Sequence, residues 1–281
     1  MATITQLESI ASQVRRDIIR MTSEAQSGHP GGSLSSTEIL TALYFEILKQ
    51  DSHNFSPQGR DEDMFFLSIG HITPVYYSVL ARSGYFSVAE LATFRKLNTR
   101  LQGHPSVHQQ LPGIRVASGS LGQGLSVAIG AALTKKLDGC NRFVYTLHGD
   151  GELQEGQLWE AIMFAGAKKV DNLIAIVDYN KVQIDGSNDE VCSLGNLAQK
   201  FLAFGWQVLE CAGNDMASVV QCLNEAKSLT NQGKPVVVLA NTQMGYGVDF
   251  MCGKNAWHGT PPSPQQAADA LSQLTETLGD Y

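Results

Sequence analysis

The sequence predicts an α/β fold built on one mostly parallel sheet with helices on both faces. Two observations carry that reading. From residue 142 onward, strand-like and helix-like segments alternate: 142–148, 173–178, 206–211 and 235–240 as strands, with helices at 153–168, near 195–204 and at 215–230. The strands LIAIVD and PVVVLA are apolar almost throughout, the pattern of strands covered on both sides. A chain of 281 residues is within the range of one large α/β domain, and no repeat, low-complexity linker or boundary divides residues 1–281.

Upstream of this regular part, Leu7, Ile10, Val14, Ile18 and Met21 recur at helical spacing and predict an amphipathic helix over 5–22. SGHPGGS (27–33) reads as a loop, and STEILTALYFEIL (36–48) as a helix that Ser35 or Ser36 can cap. MFFLSI (64–69) reads as a short buried strand, followed by a helix to about residue 81. Residues 96–124 are turn-rich and aperiodic, a length that in compact domains points to function. GLSVAIGAALTKKL is a helix with a small-residue face, and SPQQAADALSQLTETL a polar one.

Composition excludes several function classes. A net charge of −7 disfavours nucleic acid and anionic membrane as partners. Five dispersed cysteines without a CxxC spacing read as reduced thiols, and no segment approaches the roughly 20 apolar residues of a membrane span. The expected compartment is the cytoplasm.

The segment that raises a chemical question is LHGDGELQEGQLWEA (147–161), which places Asp150 at the tip of a strand between Gly149 and Gly151. Ligands of open parallel sheets gather at carboxyl strand ends. The next strand ends in Asp178-Tyr179-Asn180, one crossover helix later, so the Asp150 carboxylate and the Asn180 amide oxygen should lie side by side. A hard cation such as Mg²⁺ takes about six oxygens, which Asp150, Asn180, a backbone carbonyl at Val182, two phosphate oxygens and a water would supply. Gly149 and Gly151 allow phosphates to approach the backbone, at the start of a helix. The alternative for GDG alone is a tight turn with Asp150 capping the helix.

GDG followed one βα unit later by DYNKVQIDG resembles the signature of thiamine diphosphate enzymes. The surrounding text resembles the transketolase family: SGHPGG (27–32), LSIGH (67–71), GHP (103–105), SGSLGQG (118–124), GDGELQEG (149–156), YNKVQIDG (179–186) and WHG (257–259). These matches run in order from about residue 15 to about residue 260 and cover only the family's amino-terminal, diphosphate-binding part. The resemblance implies a three-layer thiamine diphosphate-binding fold, with thiamine diphosphate and Mg²⁺ (Ca²⁺ or Mn²⁺ substituting) as cofactors. The implied reaction moves a two-carbon ketol unit from a ketose phosphate to an aldose phosphate, with pentose-phosphate sugars as the default.

It also implies roles. His29 and His258 would flank the reacting oxygens, with His258 also reaching the diphosphate; His71 would sit on the phosphate side, and His104 would contact substrate hydroxyls. Leu121 and Ile184 would sandwich the thiazolium ring, with Gly119 and Gly122 allowing close backbone approach. Glu155 and Glu160 would lie at a subunit interface that links two active sites. His53, His108 and His148 receive no role.

The family's pyrimidine-binding domain and its phosphate-gripping arginines have no counterpart in these 281 residues. The expectation is therefore the amino-terminal subunit of a split transketolase, a homodimer of this chain joined by a pyrimidine-binding, C-terminal subunit in a heterotetramer. A truncated longer protein would look the same. LSIGHIT departs from the family in having isoleucine and threonine around Gly70-His71, where lysine and alanine are frequent. Competing readings are a deoxyxylulose-phosphate synthase, a 2-oxo acid dehydrogenase α chain and a non-catalytic cofactor-binding subunit.

Overall fold

Strands apolar on both faces force the sheet to be covered twice, and the computed structural model, which describes residues 2–281, shows both covers. In chain order the main elements are α1 (Ile4–Ala25), α2 (Pro30–Ser35), α3 (Thr37–Ala42), β1 (Met64–Leu67), α4 (Thr73–Arg82), α5 (Gly124–Leu137), β2 (Val144–Gly149), α6 (Gly156–Ala167) and β3 (Leu173–Tyr179). A two-residue hairpin follows, β4 (Val182–Gln183) and β5 (Gly186–Ser187), then α7 (Asn188–Cys192), α8 (Leu197–Ala203), β6 (Gln207–Ala212), α9 (Met216–Ser228), β7 (Val236–Asn241) and α10 (Pro264–Gln273). The main sheet has the order β1-β2-β3-β7-β6, with every pair parallel.

Phe65, Leu67, Tyr145, Leu147, Ile174 and Ile176 point to one face and pack with α1, α4 and α9. Phe66, Val144, Ala175 and Val177, the residues between them, point to the other face and pack with α5, α6 and α8. Each buried aliphatic side chain contributes about 1.5–3 kcal/mol relative to exposure. The expected three layers are present.

Differences from the expected elements have local causes. The SGHPGGS segment begins as a loop but turns helical at Pro30, because a proline at the first helical position has φ already set and lacks only a donor the helix does not use. Ser36 does not cap α3; it and Ser35 direct their hydroxyls elsewhere, as described below. The helix after GDG starts later than expected, at Gly156, because residues Gly151–Gln154 form a tighter 3₁₀ turn first. The β4–β5 hairpin and α7 lie where no element is expected; the apolar run there is too short to carry a period.

The long 96–123 segment stays irregular except for short turns, and α4 holds it in place. Thr73 Oγ1 donates to the Gly103 carbonyl at 2.9 Å, Tyr77 Oη to Gln102 at 2.9 Å and Tyr76 Oη to Gly113 at 3.1 Å. Helix α4 is itself tied to α1 through buried Asp17, which accepts from Ser78 Oγ at 2.6 Å and from Arg82 Nη2 at 2.8 Å. The Arg82 side chain is 5% exposed and that of Asp17 fully buried. Removing one partner of such a pair leaves a buried charge without compensation. Asp17→Ala is therefore expected to lower unfolding free energy by about 3–5 kcal/mol in urea titrations. A loss under about 1 kcal/mol, the level of exposed ion pairs, would contradict this account of α4.

Candidate active site

The register of β2 against β3 pairs Gly149 with Asp178, so the residues just beyond the two strands meet at the carboxyl end of the sheet. There the Asp150 carboxylate accepts from Gly151 N at 2.8 Å and from the backbone N–H of Lys181. Asn180 Oδ1 accepts from Val182 N at 3.0 Å, which folds the DYNKV turn back toward Asp150. A cleft of about 200 Å³ opens at this end. Its floor holds Gly149, Asp150, Gly151, Asn180 and Val182, and its walls hold His71, His258, Leu121 and Ile184. Gly32, the last residue of the SGHPGG motif, and Met244, which carries no sequence signal for a role, also line it.

The two strand-tip carboxylates are buried and differently served. Asp178 is surrounded by hydroxyls: Ser35 Oγ donates to Oδ2 at 2.5 Å, Ser36 Oγ at 3.0 Å, and Thr242 Oγ1 donates to Oδ1. This is the destination of the serines expected to cap α3. Burial still raises the Asp178 pKa. Asp150 has no cationic side chain beside it; burial first, and then the Asp178 charge, push its pKa up to about 7. The backbone N–H groups of Lys181 and Gly151 oppose that shift. The capping contact considered for Asp150 is made to Gly151 N at the start of the 3₁₀ turn that precedes α6. Among the described residues no group of three or more His, Cys, Asp or Glu could hold a metal. The Asp150–Asn180–Val182 set is of another type, one carboxylate with amide and carbonyl oxygens, which suits a hard cation that keeps phosphate and water ligands.

His71 and His258 line the same cleft, and the His29 ring packs against both of them. The ring centroids of His29 and His71 are 5.0 Å apart, those of His71 and His258 5.3 Å, and those of His29 and His258 5.7 Å. Nδ1 of both His29 and His258 is buried without a partner. The rings meet because the backbones carrying them nearly touch. A Cβ on Gly31 would lie 2.7 Å from the Trp257 carbonyl, and one on Gly70 2.5 Å from the Ser118 carbonyl carbon. His104 stands against Gly119, whose φ of +142° and 2.9 Å clearance from the ring leave no space for a side chain.

Burial lowers the pKa of all four rings. His29 falls to about 4, with the His258 ring and the Arg95 guanidinium adding to burial. His71 falls to about 3, helped by His258. Arg95 was not singled out by the sequence, yet it donates to Ser27 Oγ at 2.8 Å and lowers both His29 and His104. These rings are neutral near pH 7, each with a ring nitrogen able to accept a hydrogen bond.

Two expectations concern other surroundings. Glu155 borders the cleft while Glu160 lies apart from it on α6, and both are exposed in this chain. Ile184 is 59% exposed at the cleft rim, whereas Leu121 is half-buried. Among the described residues no helix is long and apolar enough to cross a membrane.

Comparison with known proteins places the chain in a family. Residues 7–279 match the family model described as "Transketolase, thiamine diphosphate binding domain". The chain is 41% identical to the 6-deoxy-6-sulfo-D-fructose transketolase subunit SqwG of Clostridium sp. over 95% of this chain and 96% of that one. It is 40% identical to an apulose-4-phosphate transketolase subunit of Actinobacillus succinogenes, over 96% of each chain. Human transketolase is 36% identical over 95% of this chain, which spans 42% of the human protein. The crystal structure of transketolase from Campylobacter jejuni superposes with a TM-score of 0.90 at 33% identity, over 97% of this chain and 43% of that one. The chain therefore belongs to the transketolase family and matches that family's thiamine diphosphate-binding domain.

Proposed function

We propose that this chain is the diphosphate- and metal-binding subunit of a two-chain transketolase, which moves a two-carbon ketol unit from a ketose phosphate to an aldose phosphate. The observation that carries the reading is one cleft in which Asp150, Asn180 and Val182 lie under Leu121 and Ile184, with His71 and His258 on its wall. Relatives of this chain's own length, each matched over 96%, are named as transketolase subunits, which supports a separate partner polypeptide.

Thiamine diphosphate, when bound, supplies the carbanion chemistry of ketol transfer. This chain's residues then have distinct tasks. Asp150, the Asn180 oxygen and the Val182 carbonyl hold Mg²⁺, and the N–H groups around Gly149 and Gly151 face the diphosphate, with His71 and His258 beside it. Leu121 and Ile184 bracket the thiazolium ring, and Gly119 admits it close to the backbone. His29 and His258, neutral at pH 7, exchange protons with substrate oxygens, and His104 orients substrate hydroxyls. Glu160 shares α6 with the exposed Met163 and Phe164, and with Phe164 it borders Ser126 and Ile129 of α5, a surface suited to a second copy of this chain. Glu155 and Glu160 would be covered there, and two copies with two partners would make a heterotetramer.

The pentose-phosphate sugars are the default substrates. A specialised ketose is the second reading, favoured because the relatives at 41% and 40% identity are named for other sugars, 6-deoxy-6-sulfo-D-fructose and apulose 4-phosphate. Turnover of the two-chain complex with xylulose 5-phosphate, compared with those two ketoses, separates the readings by which gives the highest kcat/KM.

Three outcomes are expected. Isothermal titration of the full chain should show thiamine diphosphate binding that requires Mg²⁺, and Asp150→Ala should weaken it by at least about tenfold. Unchanged affinity would remove the metal role. His29→Ala in the two-chain complex should keep cofactor affinity within about twofold while turnover falls by about 10²–10⁴-fold, the usual worth of a positioned acid or base. Retained turnover would remove His29 from the chemistry.

The third concerns pH. An unfolded histidine titrates near about 6.5, whereas His29 and His71 titrate at about 4 and about 3 in the folded chain. Between these limits the unfolded state binds more protons, so this contribution to stability is complete above pH 6.5 and declines as pH falls toward 4. Replacing both residues with glutamine should flatten the slope of urea-derived stability across about pH 4–6.5. An unchanged slope would contradict the buried, neutral state of these rings.

A further inference from the structure

Glu152 lies two residues beyond Asp150 and borders the same cleft, with its carboxylate held inside the protein. The side chain is completely buried, and its oxygens are all engaged. Oε1 accepts from Gly122 N at 2.8 Å and from the Ser68 hydroxyl. Oε2 meets His148 Nδ1 at 3.0 Å, and His148 Nε2 meets Thr146 Oγ1 at 2.5 Å. Ser68 Oγ in turn accepts from Gly124 N at 3.2 Å. One carboxylate thus joins four segments: the end of β1, the end of β2, the turn after Asp150 and the 118–124 loop.

We infer that Glu152 is a positioning residue for the loop that carries Leu121, fixing the apolar wall of the cleft against its metal-binding floor. The inference rests on the thiamine diphosphate reading of that cleft. A buried carboxylate is costly unless every lone pair is used, so an aliphatic side chain would serve packing at least as well. What an aliphatic side chain cannot do is receive the Gly122 N–H. Gly122 has a φ of +84°, and a Cβ there would stand 3.1 Å from the Glu155 Cβ, so this backbone has little freedom to find another acceptor. The neighbouring Leu121 side chain is only half-buried and lacks a full packing shell to place it. Its height above the floor therefore follows from the backbone bond next to it. Ser68 extends the same control toward Gly70 and His71, three residues along the chain.

Three measurements on the full chain test this. Calorimetric titration compares thiamine diphosphate with inorganic pyrophosphate, both with Mg²⁺, since pyrophosphate engages the floor alone. Glu152→Ala should weaken thiamine diphosphate by at least about tenfold, the usual worth of a charge-assisted hydrogen bond, and leave pyrophosphate within about twofold. Glu152→Gln, which still offers an acceptor to Gly122 and Ser68 while His148 takes its other tautomer, should remain within about threefold for both ligands. Amide exchange at Gly122 should accelerate in Glu152→Ala by about tenfold and stay slow in Glu152→Gln. If Glu152→Ala does not fold, Ser68→Ala should give the same pattern with a smaller amplitude. Equal losses for both ligands, or no loss for either, would overturn the positioning role. If the unsubstituted chain fails to bind thiamine diphosphate, the functional reading falls, while the Gly122 exchange result still decides whether Glu152 holds the loop.

Discussion

The structure depends on where two buried carboxylates stand at adjacent strand ends. Parallel pairing of β2 with β3 brings Asp150 and Asp178 to the carboxyl end of the sheet, and burial makes both costly to ionise. The chain resolves the two differently. Asp178 receives the hydroxyls of Ser35, Ser36 and Thr242, which draw α2, α3 and the segment after β7 onto that end of the sheet. Asp150 receives backbone N–H groups and no cationic side chain, which leaves it suited to an exchangeable divalent ion.

That asymmetry organises the rest of the cleft. Helix α2, drawn in by Asp178, follows directly on His29, and the Gly31 backbone rests against the Trp257-His258 segment. Close backbone approaches at Gly31, Gly70 and Gly119 then gather four histidines from four remote loops. Burial keeps these rings neutral, a state useful for accepting protons and for lying beside an anion without titrating at pH 7. The same burial costs stability in acid, so the site is assembled at the expense of acid tolerance.

Much of this was legible in the sequence, for definite reasons. Strands such as LIAIVD announce themselves because burial on both faces requires uninterrupted apolar residues. Asp150 and Asn180 could be paired because one βα unit separates them and ligands favour strand ends. Other features depend on contacts that spacing does not encode. Ser35 and Ser36 read as caps locally, and only the fold shows their hydroxyls turned to Asp178. Arg95 lies outside every motif and Glu152 inside one that gives it no role of its own; their partners, the Ser27 hydroxyl and the Gly122 N–H, are remote in sequence. His148, given no role from sequence, proves to be the buried partner of Glu152. Ile184 read as one side of a sandwich, and in the single chain it stands largely exposed at the rim.

The central claim is that a cation bridges the tips of β2 and β3 and anchors a diphosphate there. Anomalous diffraction from crystals grown with thiamine diphosphate and Mn²⁺ tests it most directly. The account predicts one manganese peak about 2.1–2.3 Å from the Asp150 carboxylate, the Asn180 amide oxygen, the Val182 carbonyl and two diphosphate oxygens. Cofactor bound in the cleft with no metal at Asp150, or manganese held elsewhere on the chain, would contradict it.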